Sequence, residues 1–265
     1  MDVVALLPRQ LLDHLSLVLG PAHSLATPVD WDALRATVQS RIVDVVVADP
    51  AFSGRVHTQD LADLRELYPS LPIVLYTTLN AHAMQSVVQL ARYGIEHVVL
   101  AHFDDEPRRF LELLEGVPGH ALGDQMLRAL QEPIARLPVT ITRAIEQLFR
   151  APGRFPGARE LAQASGITPR GLYRHMAAAG MPSVKALVVA ARLVRAYGYL
   201  RDPGRSVKEV ADRVGYSRPW LLTKQMREYT GVVPSEVRTA LAPEAFVTLL
   251  TTRVCAEQQD EDGGP

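Results

Sequence analysis

Short apolar runs alternate with amphipathic stretches through roughly the first 115 residues, the order expected of an α/β domain. The runs predict strands at Val3–Leu7, Ser24–Ala26, Asp44–Ala48, Ile73–Tyr76 and His97–Leu100. The third and fourth are compact and β-branched, as parallel strands covered on both faces must be. Between the strands, apolar residues at helical spacing predict helices near Gln10–Leu19, Trp31–Arg41, Gln59–Leu67, Ala81–Tyr93 and Glu106–Glu115. Strict alternation predicts a doubly wound sheet of five parallel strands, with any ligand chemistry at the carboxyl ends of the strands.

The glycines and proline of Gly116–Gly123 close this first domain, residues 1–117. The pattern then predicts a linker over 118–137, with a connecting helix near Gly123–Ala135, and an all-helical domain over 138–241. Residues 242–265 read as a short C-terminal extension whose acidic end, QQDEDGGP, is expected to be disordered.

The helical domain contains an internal repeat at a spacing of about 50 residues. The first copy is ELAQASGITPRGLYRHM (Glu160–Met176) and the second EVADRVGYSRPWLLTKQM (Glu209–Met226). Each has an apolar residue and alanine ahead of a glycine, then an apolar residue, then a hydroxyl residue that opens a second helix. Gly166 and Gly215 suit a tight turn with positive φ, and Thr168–Pro169 is a favourable helix start. Ser206 and Glu209 form the pattern of a capping box. Leu172 with Met176, and Leu222 with Met226, lie one turn apart and face a core. A helix over Ser183–Leu200 joins the copies and spans roughly 27 Å at 1.5 Å per residue. A rigid spacer of that length can hold two helices near one DNA turn apart, roughly 34 Å.

Charge sharpens this reading. The whole chain is nearly neutral at −1, but Leu137–Leu241 holds 17 Lys+Arg against 7 Asp+Glu, and the rest holds 11 against 22. A basic helical half joined to an acidic half is the distribution of a nucleic-acid-binding domain with a partner domain.

The helical half resembles the AraC/XylS family of transcription regulators. GYSRPWLLTKQMREYTGVVPSEVR (Gly215–Arg238) is similar to that family's signature over the second helix-turn-helix and its closing GxxPxxxR, and Arg192, Leu193, Ala196 and Gly180 also fit. Leu222 and Met226 stand where phenylalanine is usual, and Pro219-Trp220-Leu221 where polar residues are commoner. The resemblance implies two DNA-reading helices. Helix phase and the family motif place Arg170, Tyr173 and Arg174 on the exposed face of the first, and Arg218, Pro219, Trp220, Thr223 and Lys224 on the second. Arginine suits guanine through its bidentate fork. The second face is poor in hydrogen-bonding groups, so thymine-methyl or phosphate contacts are expected there. Arg192 and Arg238 fit either an internal ion-pair or capping role or a phosphate contact.

The first domain resembles a degenerate response-regulator receiver domain. VDVVVADPAFSG (Val43–Gly54) places Asp49 at the phosphoacceptor position and PIVLYTT (Pro72–Thr78) places Thr77 at the switch hydroxyl. In GIEHVVLAH (Gly94–His102), Ala101 stands where the family has lysine, and Leu7, Pro8 and Arg9 replace its acidic pair. Phosphoryl transfer to aspartate needs a bridging cation and cationic charge stabilisation, and Asp49 alone supplies one ligand. A pseudo-receiver that dimerises or docks a partner is therefore expected. The strand ends near Asp49, Thr77 and His102 leave room for a small ligand as an alternative.

Cys255 is the only cysteine, so no intrachain disulfide or cysteine-based zinc site exists. The chain shows no nucleophile motif, metal cluster or phosphate-cradling glycine loop, and no catalytic activity, cofactor or metal is expected. Without a leader or a membrane-length apolar run, a cytoplasmic location is expected. The expectation is a sequence-specific regulator that binds double-stranded DNA, with a homodimer through the first domain and RNA polymerase as further partners. Two alternatives remain: a phosphorylation-controlled response regulator, and an interaction adaptor that has lost DNA affinity and docks protein through Pro219-Trp220-Leu221.

Overall fold

The computed structural model describes residues 1–117 and 120–262, apart from the side chains of residues 120, 121, 238, 240 and 257–262. Gly263–Pro265, the end of the expected disordered tail, lie outside the described residues. The chain divides into two units, Met1–Pro118 with Asp202–Gly204, and Gly119–Arg201 with Arg205–Pro265.

In the first unit five strands form one parallel sheet: β1 (Asp2–Leu6), β2 (Ser24–Ala26), β3 (Val45–Ala48), β4 (Ile73–Thr77) and β5 (His97–Leu100). Their order is β2-β1-β3-β4-β5, with Val4 beside Val46, Val47 beside Val74 and Leu75 beside Val98. This is the flavodoxin-like order of a doubly wound sheet, the order of receiver domains. The intervening helices are α1 (Arg9–Leu19), α2 (Trp31–Ser40), α3 (Thr58–Leu67), α4 (Ala81–Ala91) and α5 (Pro107–Gly116). Alternation along the strands divides the core in two. Val3, Ala5, Val45, Val47, Val74 and Tyr76 pack with Leu15 of α1 and Phe110 and Leu114 of α5. Val4, Leu6, Val46, Ala48, Ile73 and Leu75 pack with Leu34, Leu61 and Leu90 of α2, α3 and α4. Because both faces are covered, β3 and β4 are apolar along nearly their whole length, and every one of their side chains is buried, including Thr77 at the end of β4. Asp30 and Asn80 fix the starts of α2 and α4, their side chains accepting from the amides of Ala33 and Ala83 at 2.8 Å.

The second unit is helical: α6 (His120–Ala129), α7 (Gln131–Ile134), α8 (Val139–Arg150), α9 (Ala158–Ala164), α10 (Pro169–Ala179), α11 (Val184–Arg201), α12 (Val207–Arg213), α13 (Pro219–Thr230), α14 (Val237–Ala240) and α15 (Pro243–Asp262). The joining helix α11 is buried nearly all round rather than along one stripe, which makes it the central element that α6, α8, α12 and α15 pack around. Even Arg195 is buried there, its guanidinium 4.7 Å from the ring of Tyr199.

Within residues 118–137, α6 packs on α8, α11 and α15, and Met126 and Leu130, four residues apart, are buried in this core. The C-terminal extension carries α15. Phe246, Leu250 and Val254 recur every fourth residue along α15 and are buried, and the Phe246 ring stacks on Tyr197 with centroids 4.1 Å apart. The hydroxyl of Tyr197 donates to the Leu241 carbonyl at 2.6 Å, fastening the chain just ahead of α15. Among the described residues no single helix is long and apolar enough to cross a membrane.

Candidate nucleic-acid interface

The two repeat copies fold into the same backbone device. In the first, Leu161 and Ala162 of α9 are buried, Gly166 turns the chain at φ 68°, and the amide of Ile167 donates to the Ala162 carbonyl at 3.0 Å. In the second, Val210 and Ala211 of α12 are buried, Gly215 turns at φ 87°, and the amide of Tyr216 donates to the Ala211 carbonyl at 2.9 Å. Each turn delivers the chain into a helix that starts with proline: Pro169 in α10 and Pro219 in α13.

The caps differ. Thr168 accepts from the Gly171 amide at 3.1 Å, whereas Arg218 at the matching place makes no side-chain cap. The second copy is held instead by an aromatic brace that sequence reading missed. Tyr216 is buried and its hydroxyl donates to Oε1 of Gln225 at 2.6 Å, tying the turn to α13. Arg192 of α11 lies 5.4 Å over that ring, and its Nη2 reaches the Pro156 carbonyl at 3.4 Å. Arg192 is thus an internal brace. Burial lowers its pKa against the opposing influence of Tyr216, and burial pushes the Tyr216 hydroxyl well above its ordinary value despite Arg192. The sequence signal was Tyr216 itself, an aromatic directly after the turn glycine. The side chain of Arg238 lies outside the described residues. Ser206 caps α12 by accepting from the Glu209 amide at 3.1 Å, while the Glu209 carboxylate lies 3.6 Å from Arg205.

On α10, Leu172, Met176 and Ala179 are buried, and Arg170, Tyr173 and Arg174 are exposed, Tyr173 at 53%. These three share the face opposite the core. On α13, Leu222 and Met226 are buried, Arg218, Trp220 and Lys224 are exposed, and Pro219 and Thr223 are half-buried. Trp220 is 58% exposed, so it is not a packed aromatic. Two polar groups on this face have partners within the helix. The Thr223 hydroxyl donates to the Pro219 carbonyl at 3.4 Å, and Lys224 lies 3.6 Å from Glu228. Glu228, four residues on, was the sequence signal for that pair.

In the first unit the strand ends bring Asp49 and Thr77 together. Both are buried, and Oδ1 of Asp49 accepts from the Thr77 hydroxyl at 2.9 Å and from the Ala51 amide at 3.0 Å. His102 bonds elsewhere: at φ 66° its amide donates to Asp105 at 2.9 Å. Asp105 also accepts from the Tyr76 hydroxyl at 2.8 Å, which in turn lies 2.9 Å from Nδ1 of His14. Desolvation favours the neutral form of Asp105, but the bonds from Tyr76 and the His102 amide, with His14 nearby, outweigh it and hold the carboxyl below its ordinary pKa. Burial, the bond to Asp105 and that carboxylate's charge push the Tyr76 hydroxyl well up. Arg9 extends into solvent beside Asp13 at 3.9 Å. Among the described residues no group of three His, Cys, Asp or Glu is placed to hold a metal ion.

Residues 161–240 match the family described as a helix-turn-helix domain. Two uncharacterized HTH-type transcriptional regulators, from Mycobacterium bovis and Mycobacterium tuberculosis, are each 36% identical to this chain over 90 residues, covering 34% of it and 26% of each relative. The chain thus matches about a quarter of the length of those relatives. A solved structure of full-length FixJ from B. japonicum aligns over 73% of this chain and 96% of its own, at 16% identity and a TM-score of 0.42. One of NtrX from Brucella abortus aligns over 62% of this chain and 39% of its own, at 19% identity and a TM-score of 0.38. With two matching turns, two proline-led helices and this family match in one segment, residues 161–240 are a helix-turn-helix domain, carried in a chain whose first unit has receiver-like topology.

Proposed function

We propose that this protein is a sequence-specific transcription regulator, without catalytic activity, that works in the cytoplasm by inserting α10 and α13 into successive major grooves of double-stranded DNA. The observation that carries the proposal is the duplicated device. Two helices with the same turn and buried residues each present an exposed face, and an 18-residue helix, roughly 27 Å long, joins the copies. In this proposal Arg170 and Arg174 read base edges on α10, with Tyr173 between them. On α13, Arg218 and Lys224 meet phosphates, while Pro219, Trp220 and Thr223 face the groove.

The first unit acts as a pseudo-receiver that serves dimerisation or signal input independently of phosphorylation, and RNA polymerase is the further partner. Support for phosphorylation independence comes from Ala101 at the lysine position and from Asp49, buried with one oxygen already accepting two hydrogen bonds.

The test is selection of bound duplexes from a random pool, followed by salt titration on the selected and a scrambled site. Arg170→Ala or Arg174→Ala should each cost ~1–3 kcal/mol and relax specificity at defined base pairs. Lys224→Ala should weaken both sites alike and flatten the salt dependence. A pool that yields no enriched sequence, or negligible effects from all three substitutions in a folded protein, favours the adaptor reading over this one.

A further inference from the structure

The two DNA-facing helices align residue by residue, because proline and the two buried side chains recur in step: Pro169, Leu172 and Met176 against Pro219, Leu222 and Met226. Arg170 then corresponds to Trp220, Tyr173 to Thr223 and Arg174 to Lys224. At each of these places the second helix is the poorer hydrogen-bonding partner. Thr223 gives its hydroxyl to the Pro219 carbonyl. Lys224 has Glu228 beside it, where the first helix has Ala178. Gln225, next along, accepts from Tyr216. Against this background stands the indole of Trp220, more than half exposed on the first turn of a helix in which Leu222 and Met226 are fully buried and Leu221 is half-buried.

An indole has one N–H donor and no acceptor, so it cannot receive the amino protons of adenine or cytosine. Its large apolar face matches the one apolar group displayed in the major groove, the C5 methyl of thymine. We propose that Trp220 reads thymine methyl groups, so that the DNA site is split into a polar half under α10, read by arginine at guanine, and a thymine half under α13, read by apolar contact. This rests on the reading of α10 and α13 as groove-inserted helices.

The full-length protein is used to select duplexes from a random pool, and the enriched duplex is resynthesised with deoxyuridine for thymidine in one half of the site at a time. Affinities are measured for the wild type, Trp220→Ala and Trp220→Phe. Uracil in one half should weaken wild-type binding by about fourfold for each buried methyl removed. Trp220→Ala should bind the thymine and uracil duplexes equally, and Trp220→Phe, which keeps an apolar ring, should retain discrimination. If Trp220→Ala proves misfolded by circular dichroism, the phenylalanine variant and the wild-type uracil series decide. Uracil tolerated in both halves, or full discrimination retained by Trp220→Ala, overturns the assignment, as does an effect of Trp220→Ala on protein partners alone. Enrichment without methyl dependence removes only the Trp220 assignment, whereas a pool with no enrichment removes the DNA-recognition reading together with it.

Discussion

Alanine at Gly215 and alanine at Gly166 distinguish two costs that the matching turns bear unequally. Both glycines lie in the left-handed region, at φ +87° and +68°. A Cβ there costs ~1–2 kcal/mol, partly offset by ~0.4–1 kcal/mol because alanine restricts the unfolded chain more than glycine does. An added Cβ at Gly166 has nothing within 4 Å, so the net loss should be about 1 kcal/mol. At Gly215 the same Cβ would sit 3.3 Å from the backbone Cα of Gly153, and 3.7 Å from the Arg192 guanidinium that braces Tyr216. Backbone cannot rotate aside as a side chain can. The Gly153 turn must give by a few tenths of an ångström, and overpacking of this kind adds ~1–3 kcal/mol. Gly215→Ala should therefore cost ~2–4 kcal/mol, well above its counterpart. Hydrogen exchange of the full chain, read on peptides across α9–α10 and α12–α13, measures each local loss separately. Equal protection losses for the two variants, or a larger loss for Gly166→Ala, would refute the claim that the second turn is held by backbone packing.

Other expectations follow from the same geometry. Acetyl phosphate with Mg²⁺ should leave the mass of the protein unchanged; stoichiometric labelling abolished by Asp49→Asn would make the first unit a working receiver. Tyr76→Phe removes a hydrogen bond to a carboxylate and should lower stability near neutral pH by ~1.5–3 kcal/mol. Because the Asp105 pKa is depressed in the fold, its contribution is complete above the ordinary carboxylate range and is lost as pH falls through the folded value, so the variant should differ least from wild type in acid. Urea melts at neutral and acidic pH test this, and a difference that grows on acidification would contradict it. Phe246→Ala should cost ~3–5 kcal/mol because the ring is fully buried against Tyr197, and unchanged exchange protection in α11 would show that α15 is not part of the core.

What the sequence determined by itself is local. Parallel strands covered on both faces are mostly apolar, so Asp44–Ala48 and Ile73–Tyr76 were legible as runs, and a tight helix-turn-helix needs a turn glycine and a buried pair on each helix, so both copies stood out. The faces assigned on α10 and α13 followed from helix phase together with the family motif. Tertiary structure decided whatever depended on a partner distant in the chain. Met126 and Leu130, and Phe246, Leu250 and Val254, carry ordinary helical spacing, but only the packing of α6 and α15 places those residues in the core. Arg192 had two readings until the Tyr216 ring and the Pro156 carbonyl arrived beneath it from elsewhere in the chain. Asp49 was recognisable by position, yet its buried bond from Thr77 joins residues 28 apart and exists only because β3 and β4 are neighbours in the sheet. Periodicity records which face of an element is apolar, and the fold alone determines what that face meets.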